Sequence, residues 1–362
     1  MYEKFEALDA NPKVISSMFC EDVKEYKIFL FDAYGVFWDG AKIMPEAVAD
    51  MKKLVSDGKY VAVVSNTTQL SPDARKSYAK RGLIEGEHYN EFITSGDVFR
   101  DNILNGEAEK FIRKNSKKIL KENSKIKIYI FGNPRKELFK DSNYDMAENL
   151  NEADAVYLSI PSITDEEKAE ILKLNPEYEK YFKLSSLTKE GEPARWDVID
   201  GKAEIFATFL DKFIAKGLPI LNANPDATAP EKEKGTDPVV KNIVVRNGQL
   251  TDYCRQHGAN VFECGKPAKE IFEFALEKLK NSQEKLKEYE GKLEKISLMI
   301  GDTRGSDIEG AIRANIDSVL VSTGNESVLE EKNKEYVDGK KSFATYYFKR
   351  KSKPSKEQIV VK

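Results

Sequence analysis

At 362 residues the chain is long for one compact core and has room for a core plus a second module. Apolar residues make up 40% and charged residues 33%, enough to fill a core beneath a charged surface, while a formal net charge of -3 gives no electrostatic reason to expect a nucleic-acid or anionic-membrane partner. No stretch reaches the roughly twenty apolar residues that a membrane span requires, and the acidic start, Met1-Tyr2-Glu3-Lys4-Phe5-Glu6, lacks an apolar signal core, so a cytoplasmic protein is expected.

In chain order, Ile28-Phe29-Leu30-Phe31 reads as a buried strand that stops at Asp32-Ala33-Tyr34-Gly35. In an open parallel sheet, ligands bind at the carboxyl ends of the strands, so an Asp in that position faces a crevice. Asp39-Gly40 marks a tight turn, Pro45 opens a helix with Val48, Met51, Leu54 and Val55 on its apolar face, and Gly58 closes it. A second buried strand, Lys59 to Val64, ends on Ser65-Asn66-Thr67-Thr68, which makes a parallel crossover. A helix from Pro72 to Arg81 and a strand at Glu91–Ser95 follow.

The middle of the chain has a different texture. Residues 100–125 are rich in Lys, Asn and Glu and read as a solvated helix, after which strands resume at Ile126–Gly132 and Ala155–Ile160. Helices are expected near 165–174 and 202–216, and strands at Pro219–Leu221 and near Ile243–Val245. The stretches 188–200 and 228–238 read as polar loops. The last third returns to the first texture: Gly265-Lys266-Pro267, a helix over 269–290, the strand Ile296–Ile300 running into Gly301-Asp302, a helix containing Ile308, Ala311 and Ile312, and the strand Val319–Ser322 ending in Thr323-Gly324. No internal repeat is found.

Four polar stations therefore sit at strand or loop ends: Asp32, Ser65 with Asn66, Lys266, and Asp302 with Asp307. Asp32 and Asp302 would supply the hard oxygen ligands that Mg²⁺ takes, with Asp307 holding a bound water or bracing the site. Ser65 and Asn66 offer donors to phosphoryl oxygens, and Lys266 offers a cation that damps repulsion between a phosphate and the Asp32 carboxylate. The cysteines Cys20, Cys254 and Cys264 have no metal-type spacing, and His88 and His257 lie outside the stations. Each station alone has a bland alternative: a turn Asp, a helix cap at Ser65-Asn66, a surface Lys266, a helix-start carboxylate at Asp307. Their coincidence in one order favours a site.

That order resembles the haloacid dehalogenase-like hydrolase superfamily, whose members use the first Asp as nucleophile and form an aspartyl-phosphate when the substrate is a phosphate ester. Asp32 and Ser65 are 33 residues apart, too few for an inserted cap, whereas Ser65 and Lys266 are 201 apart. The cap must lie in the second gap. With Asn222-Ala223-Asn224-Pro225-Asp226 and Gly301-Asp302-Thr303-Arg304-Gly305-Ser306-Asp307, this looks like the type-two-cap branch of nitrophenyl phosphatases and nucleotide monophosphatases. The resemblance implies an α/β fold, a Rossmann-like parallel-sheet core with an inserted α/β cap, divided as core 1–98, cap 99–255 and core 256–362, with the active site between core and cap. It implies Mg²⁺ held by Asp32, the Tyr34 carbonyl, Asp302 and Asp307, a small-molecule phosphate ester as substrate, and room for a homodimer.

One position departs from the resemblance. Phosphatases of this superfamily carry a second Asp two residues after the nucleophile, where it protonates the leaving group and then activates water; here Tyr34 stands there. The metal is unaffected, because the ligand at that position is a backbone carbonyl. A positioned acid or base is worth about 10²–10⁴ in rate, and a phenol with an ordinary pKa near 10 is a poor base at neutral pH. Slow turnover is the expectation. Asp-Ala-Tyr-Gly also resembles the metal-independent 2-haloacid dehalogenases, which place the cap in the first gap and do not need the paired acids Asp302 and Asp307. A third possibility is a non-catalytic, phosphate-binding regulator. Arg195-Trp196-Asp197 reads as a surface loop with a packed Trp, and the basic segment 349–353 as a solvated terminus; the resemblance implies that Asn224 and Asp226 shape the cap's hinge and pocket floor, where Asx residues beside Pro otherwise mark a plain turn.

Overall fold

The structure, a computed structural model, describes residues 13–15, 17–40, 42–186, 188, 191–232, 241–321, 323 and 346–348. Sequence readings at residues 1–6, 187, 189–190, 233–238, 322, 324 and 349–353 lie outside the described residues. The chain divides into two compact units. The first holds the described residues up to Ser65, Gln69–Ser95 and those from Gly265 onward; the second holds Asn66–Thr68 and Gly96–Cys264.

In the first unit β1 (Lys13–Ile15) precedes β2 (Ile28–Phe31), all four residues of which are buried, as an unbroken apolar run requires of a strand covered on both faces. α1 (Pro45–Ser56) begins with proline at its first turn, where a missing N–H leaves no bond unmade, and buries Ala47, Met51 and Leu54. β3 (Tyr60–Ser65), α2 (Ser71–Ala79) and β4 (Glu91–Thr94) follow, so the strand-helix-strand crossovers predicted from the pattern are present.

The second unit opens on α3 (Ser95–Leu104) and α4 (Glu107–Asn115) rather than on one solvated helix. Gly106 at φ +82° breaks the run, and the two helices bury Val98, Phe99, Ile103, Ala108 and Ile112, an apolar stripe among polar and charged residues. Then come β5 (Ile126–Phe131), β6 (Tyr144–Met146), β7 (Ala155–Leu158), α5 (Asp165–Leu174), β8 (Phe182–Leu184), β9 (Trp196–Val198), α6 (Ala207–Ala215), β10 (Ile220–Asn222), β11 (Thr228–Lys232), β12 (Lys241–Val245), α7 (Asn247–Gln256) and β13 (Val261–Glu263). β13, β10, β7, β5 and β6 make a parallel sheet in that order. Two of the expected polar loops contain strands: β9 pairs with β8 and β11 with β12, both antiparallel. Their strand character comes from the partner across the ladder, which the composition of either segment alone does not reveal. Because β13 belongs to this sheet, the second unit runs to Cys264 and not to residue 255.

On return to the first unit, α8 (Glu270–Ser282) is shorter than the helix expected over 269–290. Its buried stripe of Ile271, Phe272, Ala275, Leu276 and Leu279 stops there, and a 3₁₀ turn at Glu284–Tyr289 takes over. β14 (Ser297–Gly301), a π-helical turn at Arg304–Ile308, α9 (Glu309–Arg313), β15 (Asp317–Val321) and β16 (Tyr346–Phe348) complete the unit. Its seven strands lie in the order β1-β16-β15-β14-β2-β3-β4, every pair parallel. This is a Rossmann-like α/β core interrupted by an α/β insert, as the resemblance implied. Each unit has its own apolar cluster, one around Phe29, Phe31, Val61, Val63 and Leu298, the other around Phe131, Val156, Phe206 and Phe213. Among the described residues no helix is long and apolar enough to cross a membrane.

Candidate active site

The strands β2 and β14 are paired up to their last residues: Phe31 lies opposite Ile300, and the Asp32 N–H donates to the Ile300 carbonyl at 2.9 Å. That register puts Asp32 and Asp302 at neighbouring carboxyl ends. Beyond Asp32 the chain folds back on itself, with Gly35 at φ +77° donating its N–H to the Trp38 carbonyl (2.7 Å) while its own carbonyl accepts from the Thr323 hydroxyl (2.6 Å). After Gly301 the chain turns through Thr303 into the π-helical turn that carries Asp307. Gly301 is required by close approach: a Cβ there would lie 2.2 Å from the Cβ of Asp307.

Carboxylate oxygens of Asp32, Asp302 and Asp307 lie within 4.8 Å of one another, and all three residues are buried. Lys266 is also buried, and its ammonium reaches Asp32 Oδ1 at 2.5 Å, Asp307 Oδ1 at 2.7 Å and the Val64 carbonyl at 2.8 Å. Asp307 is engaged on both oxygens, since its Oδ2 accepts the backbone N–H groups of Asp302 (3.1 Å) and Thr303 (3.0 Å). It thus braces the turn that carries Asp302 and holds Lys266 in place. Asp302 Oδ1 accepts from the Thr303 hydroxyl at 3.2 Å.

The electrostatics of this group decide what it can hold. Burial pulls the Lys266 pKa down, but the attraction of Asp307 and Asp32 and the hydrogen bonds to both outweigh it, so the ammonium is held above its ordinary range. Three carboxylates this close repel one another by about 3 kcal/mol per pair at an effective dielectric of ~20, and with all three ionised the single Lys266 ammonium leaves the group with a net negative charge. A cluster of hard oxygen donors with surplus negative charge fits a divalent cation such as Mg²⁺.

Among the other predicted site residues, Ser65 is the buried last residue of β3, next to the Val64 carbonyl that Lys266 touches. Asn66 donates its side-chain amide to Asp226 Oδ1 at 2.8 Å within the second unit. The Tyr34 hydroxyl donates to the Asp39 carbonyl at 3.4 Å, and its ring lies along Gly40, where an added Cβ would meet it at 3.1 Å. The phenol is thereby part of the loop's own packing. Arg195, Trp196 and Asp197 belong to β9 and its approach, not to a loose loop: Arg195 donates to the Ser162 carbonyl (2.8 Å) and the Trp196 indole to Asp165 (2.6 Å).

Two family models match the chain, one described as haloacid dehalogenase-like hydrolase over residues 29–137 and one as HAD-hydrolase-like over residues 263–341, so between them they span the stations at Asp32, Ser65, Lys266, Asp302 and Asp307. The chain belongs to the haloacid dehalogenase-like hydrolases. Comparison with curated proteins gave no match. Among solved structures it is similar to a possible sugar phosphatase of the superfamily from Cytophaga hutchinsonii (20% identity, TM-score 0.61, 93% of this chain and 98% of that one). It is also similar to a haloacid dehalogenase-like hydrolase from Brucella suis (21%, 0.59, 84% and 91%) and to 4-nitrophenylphosphatase from Thermotoga maritima (17%, 0.55, 90% and 95%). At these identities the likeness establishes the fold: the Rossmann-like core and the insert are those of haloacid dehalogenase-like hydrolases.

The sequence places Gly301 and Thr303 in the segment 301–307 and Thr323 at a strand end, but gives none of them a role beside the candidate residues. The pair Gly-Asp at a strand end was a usable signal for Gly301, because a glycine there lets a neighbouring side chain lie against the backbone. The two threonines act through single hydroxyl bonds to Asp302 and to the Gly35 carbonyl, and no spacing announces them.

Proposed function

We propose that the protein is a divalent-metal-dependent hydrolase of small phosphate esters that works through a phosphorylated Asp32. The observation that carries this reading is the convergence of the Asp32, Asp302 and Asp307 carboxylates within 4.8 Å, with Lys266 bridging Asp32 and Asp307. The metal-independent dehalogenase reading gives no reason for that surplus of negative charge. The fold likeness to proteins described as a possible sugar phosphatase and a 4-nitrophenylphosphatase supports the same class.

Asp32 and Asp302 would hold a Mg²⁺ ion with the Tyr34 carbonyl, while Asp307 fixes the turn that carries Asp302. When bound, the ion would neutralise phosphoryl charge. The Asp32 carboxylate attacks phosphorus, its new O–P bond forming as the ester O–P bond breaks and the alcohol oxygen leaves with the bonding pair and takes up a proton. Lys266 supplies positive charge to the phosphoryl oxygens, and Ser65 and Asn66 supply donors. Water then attacks the phosphorus, the Asp32 O–P bond breaks, inorganic phosphate leaves and Asp32 returns to a carboxylate. With Tyr34 where relatives carry an acid, and its hydroxyl bonded to the Asp39 carbonyl, proton transfer to a poor leaving group is the slow part of the cycle.

A screen of phosphate esters and 2-chloropropionate tests this, on wild type and Asp302→Ala, with Mg²⁺ and with chelator. Hydrolysis of p-nitrophenyl phosphate that needs Mg²⁺ and Asp302 is expected. Activity that survives chelation and Asp302→Ala, or that is confined to the haloacid, would contradict the proposal.

A further inference from the structure

We propose that Asp226 is a positioning residue for the phosphate site: it fixes the side-chain amide of Asn66 with its nitrogen in one direction. This rests on the reading of Asn66 as a phosphate donor. An ionised carboxylate only accepts hydrogen bonds, so a partner at 2.8 Å from Asp226 Oδ1 must present N–H, and the orientation of the Asn66 amide follows from that of Asp226. An amide free to flip would offer its oxygen to a phosphate half the time, which is repulsive.

Asp226 is itself built into place by a ladder of hydrogen bonds inside the second unit. Its N–H donates to Asn224 Oδ1 (2.9 Å), the Asn224 N–H donates to Asn222 Oδ1 (2.9 Å), and the Asn222 amide donates to the Asn224 carbonyl (2.8 Å) and to Glu263 Oε2 (2.7 Å). Glu263 Oε2 also accepts from the Thr251 hydroxyl at 2.8 Å, and Glu263 Oε1 from Arg255 at 2.6 Å. The Asp226 carbonyl accepts the Gly248 N–H at the start of α7 (2.9 Å), an approach so close that a Cβ on Gly248 would lie 2.1 Å from the Pro225 carbonyl. The loop 222–226 is thus a braced arm that ends on a carboxylate bonded to Asn66. Such supporting shells commonly set the geometry of the groups they hold.

The experiment uses the full-length protein with Mg²⁺, p-nitrophenyl phosphate as substrate and inorganic phosphate as inhibitor, on Asn66→Ala, Asp226→Ala, Asp226→Asn and the double variant Asn66→Ala/Asp226→Ala. Asp226→Ala is expected to raise KM and the phosphate inhibition constant about tenfold, with kcat within about threefold, and to add nothing on the Asn66→Ala background. Asp226→Asn, which keeps the shape but can present either oxygen or nitrogen, is expected to fall between. The side-chain amide signal of Asn66 in ¹⁵N–¹H spectra, assigned by its loss in Asn66→Ala, should move in Asp226→Ala. Additive losses in the double variant, or an unmoved amide signal, would overturn the proposal. If wild type neither hydrolyses nor binds phosphate, the phosphatase reading falls, and the amide signal still tells whether Asp226 holds Asn66.

Discussion

Both units are built on a parallel sheet, and ligands of such sheets are held at the carboxyl ends, yet the two sets of strand ends are chemically unlike. In the first unit β2 and β14 end on Asp32 and Asp302, with Asp307 and Lys266 beside them. In the second unit β5, β7 and β10 run into Gly132-Asn133, Ser159 and Asn222, whose polar groups are bonded locally: the Asn133 N–H donates to the Ile160 carbonyl (2.8 Å), the Ser159 hydroxyl to the Asn133 carbonyl, and the Asn222 amide to the Asn224 carbonyl and to the carboxylate of Glu263, which is itself paired with Arg255. One set gathers like charge around a single ammonium; the other is bonded locally. The two parallel sheets therefore differ at their carboxyl ends in a few residues.

Two buried lysines among the described residues, Lys266 and Lys168, make the contrast measurable. Lys266 sits between buried carboxylates, whereas Lys168 in the second unit pairs with the exposed Glu179 at 2.9 Å and lies 3.5 Å over the Trp196 ring. Lys266→Met should cost about 3–5 kcal/mol of stability in denaturant unfolding, because it leaves buried charge uncompensated, and part of the loss should return with Mg²⁺. Because the folded-state pKa of Lys266 is raised above 10.5, that contribution is present in full below pH 10.5 and is lost only as the pH rises through the folded value. The stability gap between wild type and variant should thus be flat across neutral pH.

Tyr34→Asp should raise kcat on an alkyl phosphate by about 10²-fold or more, with a smaller gain on p-nitrophenyl phosphate, whose leaving group needs no proton. An unchanged ratio between the two substrates would remove Tyr34 from the account of slow turnover. Gly301→Ala, which drives a Cβ into Asp307, should cost about 1–3 kcal/mol and blunt the shift in melting temperature that Mg²⁺ produces. Lys168→Met should cost about 1 kcal/mol or less and leave kinetics unchanged, since its partner is solvent-exposed.

The candidate residues Asp32, Ser65 and Asp302 stand out in the sequence because each ends or follows an apolar run, where periodicity breaks, and Lys266 because it lies between Gly265 and Pro267; Asp307 is singled out by its place five residues after Asp302. The core strands β2, β3, β4, β14 and β15 were visible for the same reason. What could not be read depends on partners remote in sequence: β9 and β11 exist through the strands they pair with, and the apolar stripe of α3 and α4 is interleaved with polar and charged residues. The bond from Asn66 to Asp226 joins residues 160 apart. The sequence singles out Asp226 as shaping a hinge and pocket floor, but not its bond to Asn66, which depends on the braced arm that delivers it.

The central claim is that Asp32 carries the phosphoryl group, and acid-quenched reactions with p-nitrophenyl phosphate and Mg²⁺, read by peptide mass spectrometry, test it most directly. The account predicts a phosphoryl group on the peptide containing Asp32 in wild type, none with chelator, and in Asp32→Asn neither the modification nor more than about a thousandth of the wild-type kcat. A phosphorylated Asp32 that accumulates without turnover would turn the reading toward a regulator. Undiminished hydrolysis by Asp32→Asn would contradict the account outright.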